Sequence, residues 1–143
     1  MAAKGRNGAR RLLLQALYQM QMAGHDTAQL KAQFAERPEY AAADADYFLE
    51  LLDQIDSARD QLDEEIERCG DIPPAQLDPV EHAVLWIALA EFEFHPDVPP
   101  KVVMNEAIEL AKMYGAEGGH KYVNGLLDKV AAGRFQASGP GKA

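Results

Sequence analysis

The sequence predicts an all-α fold, a bundle of six to seven helices, and three observations support it. Apolar residues recur at spacings of three and four along most of the chain, which is the period of an amphipathic helix. No segment of useful length alternates apolar and polar residues as a strand does. Capping residues and prolines separate the periodic segments. With 143 residues, the chain (residues 1–143) is a single domain that can bury a core without disulfides or metals.

Two helices are predicted in the first part of the chain. Asn7 is a suitable N-cap for the first helix, and Gly24 is a suitable residue just beyond its C-terminus. The second helix begins at Asp26 or Thr27 and stops before Pro38. The apolar stripe of the first helix, which marks its core face, comprises Ala9, Leu13, Ala16, Leu17 and Met20.

The third and fourth helices lie on either side of a linker. The third runs over residues 44–68, with Phe48 and Leu51 on its apolar face, and Gly and Pro residues form a linker over residues 70–74. Asp78 is the predicted N-cap of the fourth helix, with Pro79 at its first position and Glu81 completing a capping box. Because this helix is apolar nearly all round until it ends at residue 95, we expect it at the centre of the bundle.

Two more helices complete the predicted fold. The fifth opens at Pro99 or Pro100 and ends at Gly115, and the last begins near Glu117. The tail, about residues 134–143, contains too few apolar residues to pack. The linker at residues 70–74 therefore divides six helices into two groups.

The composition is that of a folded protein with an uneven charge. Hydrophobic residues make up 48% and charged residues 26%, which excludes disorder of the whole chain. The net charge of −9 hides an asymmetry, because residues 44–81 hold 13 acidic and two basic residues, whereas residues 1–25 hold four basic and no acidic ones. An anionic ligand at the ends is compatible with this distribution.

No residue pattern of a catalytic, metal or cofactor site is found in the sequence. Cys69 is the single cysteine and lies beside acidic residues, and the four histidines lack the spacing of a metal site. Neither Ser57 nor Ser138 sits in the turn that a nucleophilic serine needs. We therefore expect a protein that is not an enzyme.

No targeting or membrane segment is predicted either. The apolar run of residues 12–14 ends at Gln15, too early for an export signal, and no stretch approaches the length of a membrane helix. The expected location is the cytoplasm.

Two groups of residues are candidates for nucleic acid. The first is a flexible basic arm, about residues 1–7, that continues into the first helix, because arginine pairs with phosphates and stacks on bases. The second is Lys121 with Tyr122, a cation beside an aromatic ring at the start of a helix. Alternatively, the arm is a frayed terminus and Tyr122 is a core residue.

A stripe on the first helix is the candidate protein contact. Leu14, Tyr18 and Met22 follow one another at four-residue spacing, beside the core stripe. Tyr and Met are common at interfaces, which favours a partner surface here. The alternative is that other helices of the bundle cover this stripe.

Several runs of the sequence together resemble the NusB family of bacterial transcription antitermination factors. They are QALYQ at residues 15–19, DPVEHAVL at 78–85, DVP at 97–99, NEAIELAK at 105–112 and HKYVNGLLDK at 120–129. The similarity in length and order covers about residues 5–131. This resemblance implies an all-helical fold of two three-helix sub-bundles and a function without catalysis.

The resemblance also implies partners and contact residues. Such a protein binds the boxA sequence of nascent ribosomal RNA together with the ribosomal protein NusE, joins RNA polymerase and other Nus factors, and can form a homodimer. By position, the residues that would contact RNA are Lys4, Arg6, Arg10, Arg11, Lys121 and Tyr122. The residues that would contact NusE are Tyr18, Met22 and Glu81. An acidic surface suits a basic ribosomal protein.

This chain departs from the family pattern at three places. Residues 7–9 separate the basic residues of the arm, Trp86 stands where a basic residue is common, and Gly118–Gly119 replaces a more usual acidic–polar pair. One other interpretation remains open, a protein–protein adaptor whose arm does not bind RNA. We do not expect a helical domain like those fused to RNA methyltransferases, because the sequence contains no methyl-donor-binding domain.

Overall fold

The structure is a computed structural model that describes residues 2–136, with side chains for residues 5–135. This part of the chain contains seven α-helices and no strand, which confirms the predicted all-α class. The helices are α1 (Ala2–Ala23), α2 (Thr27–Ala35), α3 (Pro38–Ala42), α4 (Ala45–Cys69), α5 (Pro79–Phe94), α6 (Pro100–Tyr114) and α7 (Gly119–Ala131). A 3₁₀ turn (Pro74–Gln76) lies in the linker, and a π-helical turn (Ala132–Gln136) follows α7.

The central position predicted for the fourth helix, α5, is confirmed. Every residue from Glu81 to Phe92 is buried. The helix packs against α1, α4, α6 and α7. The linker separates a first group, α1 to α4, from a second group, α5 to α7, and the buried residues of both groups form one core around α5.

Local capping explains where several helices begin. The carboxylate of Asp44 accepts a hydrogen bond from the Tyr47 N–H at 3.1 Å, and that of Asp78 accepts one from the Val80 N–H at 2.8 Å. Pro79 occupies the first turn of α5, where its missing N–H leaves no bond unmade. The second half of the predicted capping box is wrong, because the Glu81 side chain packs towards α7.

The first helix is longer than predicted, because α1 begins at Ala2 and Asn7 lies inside it. The Asn7 side-chain oxygen accepts a hydrogen bond from Arg10 Nη1 at 2.7 Å, so this side chain does not cap a helix. The Gly5 carbonyl accepts one from the Asp44 N–H at 2.9 Å. Residues 5–7, predicted as part of a flexible arm, are therefore helical and tied to α4. The side chain of Lys4 lies outside the described residues.

The other helix boundaries also differ from the predicted ones. Pro38 opens a short helix of its own, which the sequence analysis missed. The last helix begins at Gly119, two residues later than predicted. Beyond Gly133 the chain continues in the π-helical turn, because Arg134 pairs with Glu65 at 2.8 Å and with Glu93 at 2.9 Å. Residues 137–143 of the predicted tail lie outside the described residues.

None of the helices in the described part of the chain is long and apolar enough to cross a membrane.

Candidate functional site

The basic first helix is anchored by a buried ion pair. Arg10 is 3% exposed and Glu91, near the C-terminal end of α5, is 1% exposed. Arg10 Nη2 donates to Glu91 Oε2 at 2.7 Å, and Arg10 Nε lies 3.1 Å from Glu91 Oε1. Two parallel contacts of this kind fix the orientation of the guanidinium plane and of the carboxylate plane. Because the two charges neutralise each other, the pair tolerates burial that a single charge would not. The guanidinium of Arg10 is thereby committed to the interior.

Tyr47 completes this anchor from α4. Its hydroxyl donates a hydrogen bond to Glu91. Burial, together with the adjacent Glu91 carboxylate, raises the pKa of Tyr47 far above its ordinary value, so the hydroxyl keeps its proton. Burial alone would lower the pKa of Arg10, but its hydrogen bonds to Glu91 and the charge of Glu91 raise it overall.

Two other basic residues of α1 remain nearer the surface. The guanidinium carbon of Arg6 lies 4.4 Å from the centroid of the Tyr47 ring, within cation–π distance. Arg6 Nη1 is also 3.5 Å from Asp97 Oδ2, in a pair whose acidic side chain is 65% exposed. Arg11 is exposed and lines a groove with Glu39 and Tyr114.

Lys121 and Tyr122 lie at the start of α7, at the other end of the bundle. Lys121 is exposed and Tyr122 is partly buried. The Tyr122 hydroxyl packs so closely on Gly70 that a Cβ atom at residue 70 would lie 2.5 Å from it. Lys121, Tyr122 and Lys129 line one shallow groove of about 210 Å³.

The structure does not bring the two predicted RNA-binding groups together. Arg6 contacts Tyr47 near the beginning of α4, whereas Tyr122 contacts Gly70 just beyond its end. These two points are about 35 Å apart along α4, since an α-helix advances about 1.5 Å per residue. A ligand that touches both groups must therefore be extended.

The predicted protein-contact residues gather around the first turn of α5. Tyr18 is 41% exposed and Met22 is 60% exposed, whereas Leu14 is buried and belongs to the core. Tyr18 and Val80 line one groove, and Met22 and Pro79 line the next. The stripe predicted from the sequence is therefore partly core and partly a free surface.

Glu81 lies in the same turn but points inward. It is 8% exposed, and its Oε2 atom lies so close to Gly119 that a Cβ atom there would be 1.8 Å away. Burial raises the pKa of the Glu81 carboxyl and the charge of Asp78 adds to the rise, against a backbone hydrogen bond from Ala116. The carboxylate thus occupies the space that Gly119 leaves open at the first residue of α7.

We expect Glu81→Gln to change the pH dependence of stability. The pKa of Glu81 is higher in the folded protein than in the unfolded chain, so at pH values between these two pKa values the folded protein binds more protons. The stability of the folded protein therefore falls as the pH rises through this range. The neutral amide lacks this dependence. Relative to wild type, the variant should gain stability at pH 7, and this difference should narrow as the pH falls towards 4, which urea titrations at several pH values will measure. A difference that stays constant with pH would contradict this account.

A polar cluster that the sequence analysis missed lies beside Met22. Asp63 Oδ1 accepts a hydrogen bond from Trp86 Nε1 at 2.9 Å and lies 2.7 Å from His82 Nε2. His82 is 8% exposed. The cluster forms one side of a groove of about 570 Å³ that Asp56 and Asp60 also line. It makes the surface next to Met22 acidic.

Comparison with known proteins identifies the family. A sequence model of the NusB family matches residues 7–132. The chain belongs to the NusB family. The transcription antitermination protein NusB of Shewanella pealeana is 46% identical over 132 residues, which are 92% of this chain and 98% of that protein. That of Pseudomonas entomophila is 45% identical over 126 residues, which are 88% of this chain and 76% of that protein.

Solved NusB structures have the same fold. A crystal structure of the antitermination factors NusB and NusE in complex with double-stranded RNA superposes with a TM-score of 0.77 at 25% identity, covering 89% of this chain and 96% of that one. NusB of T. maritima superposes with a TM-score of 0.76 at 30% identity, covering 88% and 89% of the two chains. These similarities extend over both helical groups.

The anchor of this NusB-family chain was not predicted, although the sequence contains a signal for it. Glu91 stands in a helix that is otherwise apolar nearly all round, and a carboxylate in such a helix is rarely buried unless it is paired. The cation that pairs with it is 81 residues away in sequence. No local pattern connects two such residues.

Within the described residues, no three His, Cys, Asp or Glu side chains are placed to hold a metal ion. Cys69 is partly buried.

Proposed function

We propose that this chain is an RNA-binding transcription antitermination factor that binds boxA-type single-stranded RNA of ribosomal RNA operons together with the ribosomal protein NusE. It assembles with RNA polymerase and other Nus factors to suppress termination. Such a protein acts in the cytoplasm by binding and catalyses no reaction. The observation that carries the proposal is the pair of cationic surfaces, at Arg6 and Arg11 and at Lys121 and Tyr122, on a fold shared with NusB from a NusE–RNA complex.

The separation of Arg6 and Tyr122 sets a minimum length for an RNA that contacts both. With stacked bases, at about 3.4 Å per nucleotide, the distance of about 35 Å along α4 corresponds to roughly ten nucleotides. A single strand suits these residues because its unpaired bases are free to stack on an aromatic ring. The exposed guanidinium of Arg11 and the ammonium of Lys121 bind phosphates, and the ring of Tyr122 stacks on an unpaired base. Arg6 extends the first surface, Arg10 supports it from within, and Lys4, by the family resemblance, is a further RNA contact.

The protein partner binds around Tyr18 and Met22, against the first turn of α5. A ribosomal protein rich in basic residues suits this face, because Asp56, Asp60 and Asp63 line the groove beside Met22. The buried side chain of Glu81 supports this partner-binding surface from within the fold. A homodimer that uses the same exposed side chains would compete with this partner.

The experiment is a fluorescence-anisotropy titration of labelled boxA RNA, with and without NusE, at two salt concentrations. A single-stranded 12-mer should bind, should bind more tightly with NusE, and should weaken with salt because phosphate contacts release counterions. A 5-mer with stacked bases spans about half of the distance between Arg6 and Tyr122 and should bind much more weakly. The double variant Arg6→Ala/Arg11→Ala should lower the slope of log affinity against log salt by about two.

The adaptor interpretation predicts the opposite result. If NusE binds but neither the 12-mer nor a duplex of the same sequence does, the protein acts as a protein–protein adaptor and the RNA part of the proposal is wrong. Equal affinity of wild type and the double variant would show that these arginines do not contact RNA.

A further inference from the structure

We propose that Tyr47 is a positioning residue for RNA binding, which holds Arg6 in place for the ligand although the tyrosine itself is buried. This inference rests on the proposed function. It concerns a residue of α4 that presents no surface of its own, because Tyr47 is 4% exposed. Four neighbours of Tyr47 support this inference: Glu91 at its hydroxyl, and Arg6, Arg10 and His95 at its ring.

The first step is that the orientation of the Tyr47 ring is fixed. Its hydroxyl donates to Glu91, whose carboxylate is itself held by Arg10 at 2.7 Å. The His95 ring packs edge-on against it, with centroids 4.8 Å apart, and His95 Nε2 lies 2.8 Å from the side-chain oxygen of Gln54. A buried side chain restrained at both ends has one rotamer available.

The second step is that the ring determines where Arg6 lies. Arg6 precedes Arg10 by four residues, so both side chains lie on the same face of α1. The guanidinium of Arg6 lies over the Tyr47 ring at 4.4 Å, and its side chain is 29% exposed. Arg6 Nη1 lies 3.5 Å from Asp97 Oδ2, which is longer than a usual charge-assisted hydrogen bond. The Asp97 side chain is solvated, so a phosphate can displace its carboxylate from Arg6.

Binding a phosphate costs an arginine side chain conformational entropy. A free arginine side chain loses rotamer freedom when it binds a phosphate, and an arginine already held on a ring loses less. Tyr47 should therefore strengthen RNA binding without adding a phosphate contact. The two roles separate experimentally, since the slope of log affinity against log salt counts phosphate contacts.

The test compares Tyr47→Leu and Arg6→Lys with wild type, using the single-stranded 12-mer at several salt concentrations. Tyr47→Leu should weaken RNA binding about two- to fivefold, the range of an exposed cation–π contact, at an unchanged salt slope. Arg6→Lys keeps the charge but lacks a planar group to stack, and should give a similar loss at an unchanged slope. The double variant should be no weaker than either single one, because both remove the same contact.

Controls separate this role from general damage to the fold. Tyr40→Leu is the matched control, because the Tyr40 ring packs edge-on against Phe48 whereas Arg6 lies over the ring of Tyr47, so its RNA affinity should match wild type. Binding of NusE by Tyr47→Leu should also match wild type, because Tyr18 and Met22 lie about 18 and 24 Å further along α1 than Arg6. Tyr47→Phe keeps the ring and should retain most of the RNA affinity.

Three results would overturn the inference while the proposed function stands. The first is an unchanged RNA affinity in Tyr47→Leu or in Arg6→Lys. The second is a lower salt slope in Tyr47→Leu, which would make Tyr47 itself an RNA contact. The third is a loss of NusE binding by Tyr47→Leu that parallels its loss of RNA binding. If Tyr47→Leu does not fold, the RNA affinity of Arg6→Lys still tests the inference. Failure of the wild-type protein to bind any RNA would overturn the proposed function and this inference together.

Discussion

Glu91→Ala should lower the free energy of unfolding by about 3–5 kcal/mol, the cost of leaving one member of a buried ion pair without its partner. Arg10 would remain 3% exposed with no carboxylate to accept from its Nε and Nη2 atoms, and the Tyr47 hydroxyl would lose its acceptor. The anchor joins α1, α4 and α5, so its loss affects the centre of the fold. Urea unfolding followed by circular dichroism will measure the change.

The matched control is Glu109→Ala, which removes the same side chain from the surface of α6. Its carboxylate is exposed and lies 4.0 Å from Lys112, so stability should change by less than about 0.5 kcal/mol. A double variant, Glu91→Leu with Arg10→Met, should recover much of the loss because no charge remains buried. Equal effects of Glu91→Ala and Glu109→Ala would show that the anchor does not stabilise the fold.

Gly119→Ala should lower the free energy of unfolding by about 1–3 kcal/mol, the usual cost of adding an atom to a filled space. The new methyl group would lie 1.8 Å from Glu81 Oε2 and 2.5 Å from Glu81 Cδ. Either the Glu81 side chain leaves its place or the first turn of α7 moves, and that turn carries Lys121 and Tyr122. The variant should therefore also weaken binding of the 12-mer, which anisotropy titration measures beside thermal unfolding.

Two comparisons make this prediction specific. Gly125→Ala is the matched control, because residue 125 is an exposed position inside α7 with nothing within 4 Å of an added Cβ, and it should gain about 0.5–1 kcal/mol from helix propensity. In the background Glu81→Ala, Gly119→Ala should no longer destabilise. A loss that persists in that background would show that the carboxylate is not the obstacle.

Much of the fold could be predicted from the sequence, because helix signals are local. Asp78 caps the helix that it was predicted to cap, the helix predicted over residues 44–68 is α4, and the apolar helix after Pro79 lies at the centre. The error at Asn7 has a non-local cause. Asn7 has the chemistry of a cap, but the contact of Gly5 with Asp44 extends α1 past it, and such a contact is not visible in a window of neighbouring residues.

The candidate site divides in a similar way. Its residue types follow from the sequence: a basic first helix, a cation and an aromatic ring at the start of the last helix, and Tyr18 and Met22 beside the core stripe. Whether those side chains are available depends on packing. Of the two neighbouring arginines, Arg11 is exposed, whereas Arg10 faces Glu91 and is buried.

The sequence by itself determined the class of fold, the order of the helices, the central helix and the family, because each of these depends on spacings along the chain. Only the tertiary structure decided that Arg10 is an anchor, that Glu81 occupies the space beside Gly119, and that the two cationic surfaces lie at opposite ends of α4. These features join residues that are far apart in sequence. Their contacts depend on how the helices pack, and helical periodicity carries no information about distance between helices.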